Sequence, residues 1–241
     1  TLLNGTPFVY GHVVVDEAQD HSAVALRVIG RRSPTGSMTV LGDLAQSTTP
    51  AGQERWEDAL RHLTRATGSV AHLTIGYRVP GPVLDVANRL LPLTGVETVA
   101  STSVRTEGEP PSVRVVPTAS LAAEVAAEVV SVRHRHHNAS VVAPERLHAA
   151  IADALAEAGL RAADHVQQLE RDEVPIFGPE AVKGLEFDGV VVVNAHEILG
   201  DEPTEVARGA RLLYVALTRA VQTVHLVADA PPPPILGLAP L

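Results

Sequence analysis

Short apolar runs that alternate with stretches of helical periodicity constrain the fold of this chain more than any other feature. Residues 12–16 read HVVVD, 38–42 MTVLG, 189–194 GVVVVN and 223–228 TVHLVA. Runs of this length rich in β-branched residues suit buried strands, and strands that alternate with helices build a mostly parallel sheet. Further strands are expected at 72–75, 112–116, 139–142 and 175–177. Helices are expected over 23–31, 53–65, 81–91, 121–135, 144–157 and 205–220, with turns at 33–36 and a connection at 67–69. In 121–135 the apolar residues Leu121, Val125, Val129 and Val132 fall on one face. Residues 94–111 read as irregular and exposed, and 161–174 carry no decisive period. The prolines at 231–234 should end regular structure and leave a loose tail. The expected class is α/β.

Composition narrows the function classes. The chain has 241 residues, 45% of them apolar and 20% charged, enough for one and a half to two domains at roughly 100–200 residues each. No run of about 18 apolar residues occurs, so no membrane span is expected, and no secretory signal pattern is present. Cysteine is absent. That excludes disulfides, thiolate metal sites and a cysteine nucleophile, and it fits the reducing cytoplasm, the expected location. The formal net charge is −9. Residues 1–70 carry six arginines against seven acidic residues, and 71–241 carry twelve arginines and one lysine against twenty-one. Nucleic acid calls for a basic footprint, so any contact with it must be local or must rely on parts outside this chain.

Five short motifs follow in order. The run ending Asp16-Glu17-Ala18-Gln19-Asp20 delivers two carboxylates to the carboxyl edge of a strand, where open α/β sheets bind ligands. Phosphoryl transfer needs one carboxylate for Mg²⁺ and a second group for the attacking water. A polar turn at a strand end has the same appearance. Gly42-Asp43-Leu44-Ala45-Gln46-Ser47 follows the next strand, and Gln46 could bond a phosphate or a water. Gly76-Tyr77-Arg78 sets an aromatic beside an arginine, Lys183-Gly184-Leu185-Glu186-Phe187-Asp188 precedes an apolar strand, and Leu213 to Ala220 reads LYVALTRA. Arg219 stands among apolar residues, a position that asks for an anionic partner.

Together these motifs resemble those of a UvrD/Rep-type superfamily 1 helicase, over about residues 12–228. DEAQD resembles its motif II, GDLAQS motif III, GYR motif IV, KGLEFDGV motif V and LYVALTRA motif VI. The resemblance implies two RecA-like lobes, parallel sheets flanked by helices, with ATP between them. The first lobe, within 1–70, would be incomplete; the second, 71–230, would be fuller; 231–241 would be a Pro-rich tail. Asp16 would bind Mg²⁺ and Glu17 would activate water. Gln46 would sense the γ-phosphate, Tyr77 would stack on adenine, and Arg78 and Arg219 would reach the transferring phosphoryl group. Glu186 and Gly184 would line the nucleotide near the ribose. ATP and Mg²⁺ are the implied cofactors, and single-stranded DNA the implied partner of the full-length protein.

The chain also departs from that pattern. A P-loop needs G-x-x-x-x-G-K-[ST], whereas Lys183 is the only lysine and Gly184 follows it. The phosphate cradle is therefore expected upstream of Thr1, and the chain reads as a C-terminal motor fragment. Gly178 and Glu180 stand where motif V often has Thr and His, Gly76 where motif IV usually has Asn, and the run 48–52 lacks the aromatics that stack on single strands. These departures look more like the actinobacterial HelD-type branch, ATPases that bind RNA polymerase and release it from nucleic acid. A non-catalytic interaction module is the third reading. The histidines 134, 136 and 137 read as a solvated helix end, and no G-x-S-x-G elbow marks a serine hydrolase.

Overall fold

The first apolar run forms β1 (Val13–Val15), which pairs in parallel with β2 (Met38–Val40), Val13 against Met38 and Val15 against Val40. Between them runs α1 (Ala23–Gly30), whose amino end is capped by the Ser22 hydroxyl accepting from the Ala25 N–H at 3.2 Å. After β2 comes α2 (Trp56–Leu63), with Glu57 and Asp58 in its first turn and Arg61 and His62 in its last, the charge order that a helix dipole favours. Val15, Ala18, Leu26, Ala59 and Leu63 form the core beneath the two helices. Side chains alternate across a strand, so Val14 points to the opposite face, where it is 63% exposed. Both runs were expected to be buried. Among the described residues only one face of this short sheet is covered, and that is the physical reason for the difference.

The computed structural model describes residues 8–49, 51–64, 68–167 and 169–241. The expected end of α2 at Arg65, the start of the connection at Thr67, Pro50 of the run 48–52 and Gln168 lie outside them. Two compact units result, one within residues 1–72 and 95–99, the other within 73–94 and 100–241.

The second unit begins with β3 (Ile75–Gly76), α3 (Gly81–Asn88) and β4 (Thr102–Ser103), the two strands pairing in parallel. Then follow β5 (Ser112–Val115), α4 (Leu121–Arg135), β6 (Ala139–Val142), α5 (His148–Glu157), β7 (Arg161–Ala163) and β8 (Glu173–Phe177). The last elements are β9 (Phe187–Val193), α6 (Ala195–Leu199), α7 (Pro203–Leu217) and β10 (Ala220–Ala228). Six strands make one wholly parallel sheet in the order β5-β10-β9-β6-β8-β7. β9 lies inside it, and Val190 to Val193 are fully buried. The apolar face of α4 packs there through Val125, Val129 and Val132. No described helix is long and apolar enough to cross a membrane.

Two further expectations need correction, at 94–111 and in the tail, and the undecided stretch 161–174 gains a strand. The stretch 94–111 is not wholly irregular, because β4 within it adds to β3. The stretch 161–174 contains β7, which pairs with the start of β8 and is fastened by Arg161 donating to Asp172 at 2.7 Å. The tail is docked rather than loose. Leu236 is fully buried, Arg89 donates to its carbonyl, and the Leu241 N–H donates to the Val113 carbonyl at 2.9 Å. The prolines end the run of long elements but leave an apolar residue free to pack, and Leu236, at the close of a short 3-10 turn from Pro234, does so.

Candidate functional site

At the carboxyl end of β1, Asp16 and Glu17 are both exposed. Glu17 adopts a left-handed backbone, φ 50°, ψ 41°. That conformation costs a residue with a side chain about 1–2 kcal/mol and persists only where its surroundings hold it. Here the holding group is Gln19, which is fully buried. Its Nε2 donates to Glu17 Oε2 at 2.5 Å, and its Oε1 accepts from the Asp43 N–H at 3.1 Å. Asp43 in turn accepts from the Ala45 N–H and from Gln46 Nε2, both at 2.9 Å. A hydrogen-bonded chain thus runs from Glu17 through Gln19 and Asp43 to Gln46, joining the carboxyl ends of β1 and β2. A side chain at Gly42 would bring its Cβ within 2.2 Å of Gln19 Oε1, so the close approach requires glycine. Gln19 and Asp43 escaped the sequence reading of roles. The available signal was a glutamine two residues beyond the paired carboxylates and a glycine ending the next strand.

Asp16 uses Oδ1 to accept from the Glu17 N–H at 2.9 Å. Its exposed carboxylate is a hard oxygen donor, and Mg²⁺ is commonly held by one or two carboxylates with water and phosphate completing the shell. The residue fits that ion. Among the described residues, one further group could gather round a cation: His196, Glu197 and Asp229, at the carboxyl ends of β9 and β10, with ligand atoms within 4.8 Å of one another. Glu197 there already receives Arg146 Nε on Oε2 at 3.1 Å, and the Asn194 amide and Arg146 Nη2 on Oε1. Its charge is matched, and the group is an ion-pair network. The described histidines at 134, 136 and 137 form no such group.

The second unit gathers the other predicted residues at the amino ends of β9 and β10. Arg78 donates to Glu186 in an ion pair about half exposed on each side. Tyr77 beside it is 73% exposed. Gly184 sits at φ 78° in the turn before Glu186. The Arg219 main-chain carbonyl accepts from the Phe187 N–H at 3.0 Å, so Arg219 borders Glu186 across the strand starts. Arg219 as a whole is only 4% exposed, and its guanidinium folds back along the end of α7, donating to the Val215 carbonyl at 3.1 Å and the Thr218 hydroxyl at 3.3 Å. An unanticipated residue, Arg105, ties this corner together. It donates to the Arg78 and Val221 carbonyls and, at 2.9 Å, to Gln222 Oε1. Glu17 and Gln46 are thus linked within one unit, and Arg78, Glu186 and Arg219 share one edge of the other.

A serine–histidine–carboxylate grouping also occurs, at Ser112, His225 and Glu128. The serine hydroxyl at 2.8 Å and the carboxylate at 3.0 Å both meet Nδ1 of His225. Nucleophilic catalysis needs them on opposite ring nitrogens, so this cluster is structural.

Residues 180–227 match the UvrD-like helicase C-terminal domain family. That span contains Gly184, Glu186 and Arg219. No curated protein matches the chain. Among solved structures it is similar to the C-terminal domain of a possible DNA helicase from Lactobacillus plantarum WCFS1. The two are 24% identical with a TM-score of 0.51, over 67% of this chain and 92% of that one. The likeness shows the fold: a parallel α/β sheet flanked by helices, of the RecA-like kind found in a helicase C-terminal domain.

Proposed function

We propose that the chain is a motor portion of an ATP-dependent superfamily 1 DNA helicase or translocase of the UvrD/Rep type. The observation that carries this reading is the corner formed by Arg78, Glu186 and Arg219 within and beside a segment that matches the helicase C-terminal family. The chain Glu17–Gln19–Asp43–Gln46 supports it from the other unit. In this reading Asp16 would hold Mg²⁺, and bound ATP would supply the transferable phosphoryl group. Glu17 orients the attacking water, and Gln46 reports the γ-phosphate through its bond to Asp43. Tyr77 offers an aromatic face to adenine, with Glu186 and Gly184 beside the ribose. Arg78 and Arg219 neutralise charge on the phosphoryl group, a role worth roughly 10³–10⁵ in rate for such an arginine. The chain contains no P-loop lysine, so the phosphate cradle is supplied from outside these residues.

The test uses the protein together with its phosphate cradle. Glu17→Gln should lower DNA-stimulated ATP turnover by about 10²–10⁴-fold, the usual weight of a positioned base, with nucleotide binding retained. Turnover within a few-fold of the unmutated protein would reject the role. The 241-residue chain alone should show no magnesium-dependent turnover at enzyme-like rates.

A second reading, ATP-driven release of RNA polymerase in the manner of the HelD-type branch, is favoured by one feature. The chain has seven aromatic residues and a net charge of −9, whereas stacking contributes about 1–3 kcal/mol per base to single-strand binding. Co-purification of the full-length protein with RNA polymerase, with weak stimulation by DNA, would select it. Strand separation would select the first.

A further inference from the structure

One cleft of the first unit lies away from every residue assigned above. It encloses about 500 Å³ and is lined by Arg27, Arg31, Arg61 and His62 together with Ser33 and Thr35. β1 and β2 are parallel and α1 connects them, so α1 runs against the strands. Its carboxyl end, with Arg27 and Arg31, lies at the amino edge of the sheet, opposite Asp16 and Asp43. The ends of α1 and α2 meet there closely, since a Cβ on Gly30 would fall 2.1 Å from the Leu63 carbonyl oxygen.

Among the described residues no carboxylate lines the cleft, although acidic residues outnumber basic ones by nine in the whole chain. The carboxyl ends of helices carry partial negative charge, and cations gather at them for that reason alone. Two ends amount to about one negative charge, and Asp58 meets Arg61 at 3.1 Å. Three guanidinium groups leave an excess of about one positive charge after both are counted. The Arg61–Asp58 pair is well exposed on both sides, so water screens it and a phosphate can compete for the arginine. Arg27 and Arg31 are exposed and make no ion pair among the described residues. Planar guanidinium groups bind phosphate oxygens in pairs, and the Thr35 hydroxyl, which accepts from the Ser37 N–H, keeps its proton to donate at the rim.

We propose that this cleft binds phosphate groups, carried either by a nucleic-acid backbone or by a free oligophosphate. The site is separate from the nucleotide machinery, and its test contains no ATP, so its outcome is independent of the motor reading. Fluorescein-labelled oligothymidylate and inorganic tripolyphosphate are titrated into the 241-residue chain, the first followed by anisotropy and the second by calorimetry. The expected affinity for the oligonucleotide is about 10⁻⁶–10⁻⁴ M near physiological salt. Arg27→Ala/Arg31→Ala should weaken at least one probe about tenfold or more, and for the oligonucleotide should flatten the salt dependence by about 0.7 per lost phosphate contact. Arg32→Ala removes one positive charge beside Arg31 but outside the cleft, and should leave binding within about twofold. Loss with oligothymidylate alone assigns a phosphodiester backbone, and loss with tripolyphosphate assigns a free oligophosphate. No saturable binding of either probe, unchanged binding by the double variant, or an equal loss in Arg32→Ala would overturn the proposal. Circular dichroism of each variant confirms that the exposed substitutions leave the fold intact.

Discussion

Gly42 has no space for a side chain because the buried amide of Gln19 fills it, with Trp56 and the Ala18 nitrogen also near. Gly42→Ala should therefore destabilise the first unit by about 1–3 kcal/mol through overpacking, measured by urea unfolding. Gln19→Ala strands the Asp43 N–H and releases Glu17, at a cost of about 1–3 kcal/mol. The two changes share one space, so the double variant should be more stable than the sum predicts by about 1 kcal/mol or more. Strict additivity would mean that the amide does not fill the gap. Glu128 offers a second test at this scale. Its hydrogen bond to His225 holds its carboxyl below the ordinary value of 4.5, with Arg114 and Arg135 adding to the effect and burial opposing it. A depressed carboxyl stabilises the fold fully above its unfolded value and loses that contribution as pH falls through the folded value. Unfolding measured downward from pH 6 should thus show an acid limb below about pH 4.5 that is reduced in Glu128→Gln. An unchanged limb would assign the acid sensitivity elsewhere.

At the scale of elements, legibility followed length and burial. α4 and β6 run from Leu121 to Arg135 and from Ala139 to Val142, as the pattern of Val125, Val129 and Val132 and the run ASVV indicate. β4, β7 and α6 are two, three and five residues long, too short for any period to appear. Tertiary partners sustain two of them: Ser103 donates to the Val79 carbonyl at 2.6 Å, and Arg161 bonds Asp172. The motifs that carry the candidate site stand out in the sequence because they follow or precede apolar strands. Gln19 and Arg105 were not, since their roles depend on partners 24 to 117 residues away. The tail is opaque for a related reason, because composition records its five prolines but not the slot that accepts Leu236. Leu236→Ala should cost about 2–5 kcal/mol and expose the amides near Gly237 to faster hydrogen exchange. Exchange and stability equal to those of the unmutated chain would mean that the tail does not contribute to the core.

At the scale of the molecule, the two units differ in how much core they hold. Among the described residues the first rests on two three-residue strands and a packed core cluster of five fully or nearly fully buried side chains from Val15 to Leu63. Sheets of two strands are marginal without helices packed on them, and here the helices cover one face, leaving Val14 in water. The second rests on six parallel strands with β9 buried throughout its final four valines. Stability is not uniform across a structure, and units with few apolar contacts open first. Denaturation of the chain should therefore be biphasic. Trp56 belongs to the first unit and is the only tryptophan, so its fluorescence reports that unit alone, while far-ultraviolet circular dichroism is dominated by the larger second unit. The tryptophan transition should fall at lower urea than the main loss of ellipticity, and Val14→Thr, which removes exposed apolar surface without touching the core, should leave it nearly in place. Coincident transitions by both probes would show that the two units unfold as one cooperative body, and the smaller unit would then owe its stability to the larger rather than to its own five-residue core.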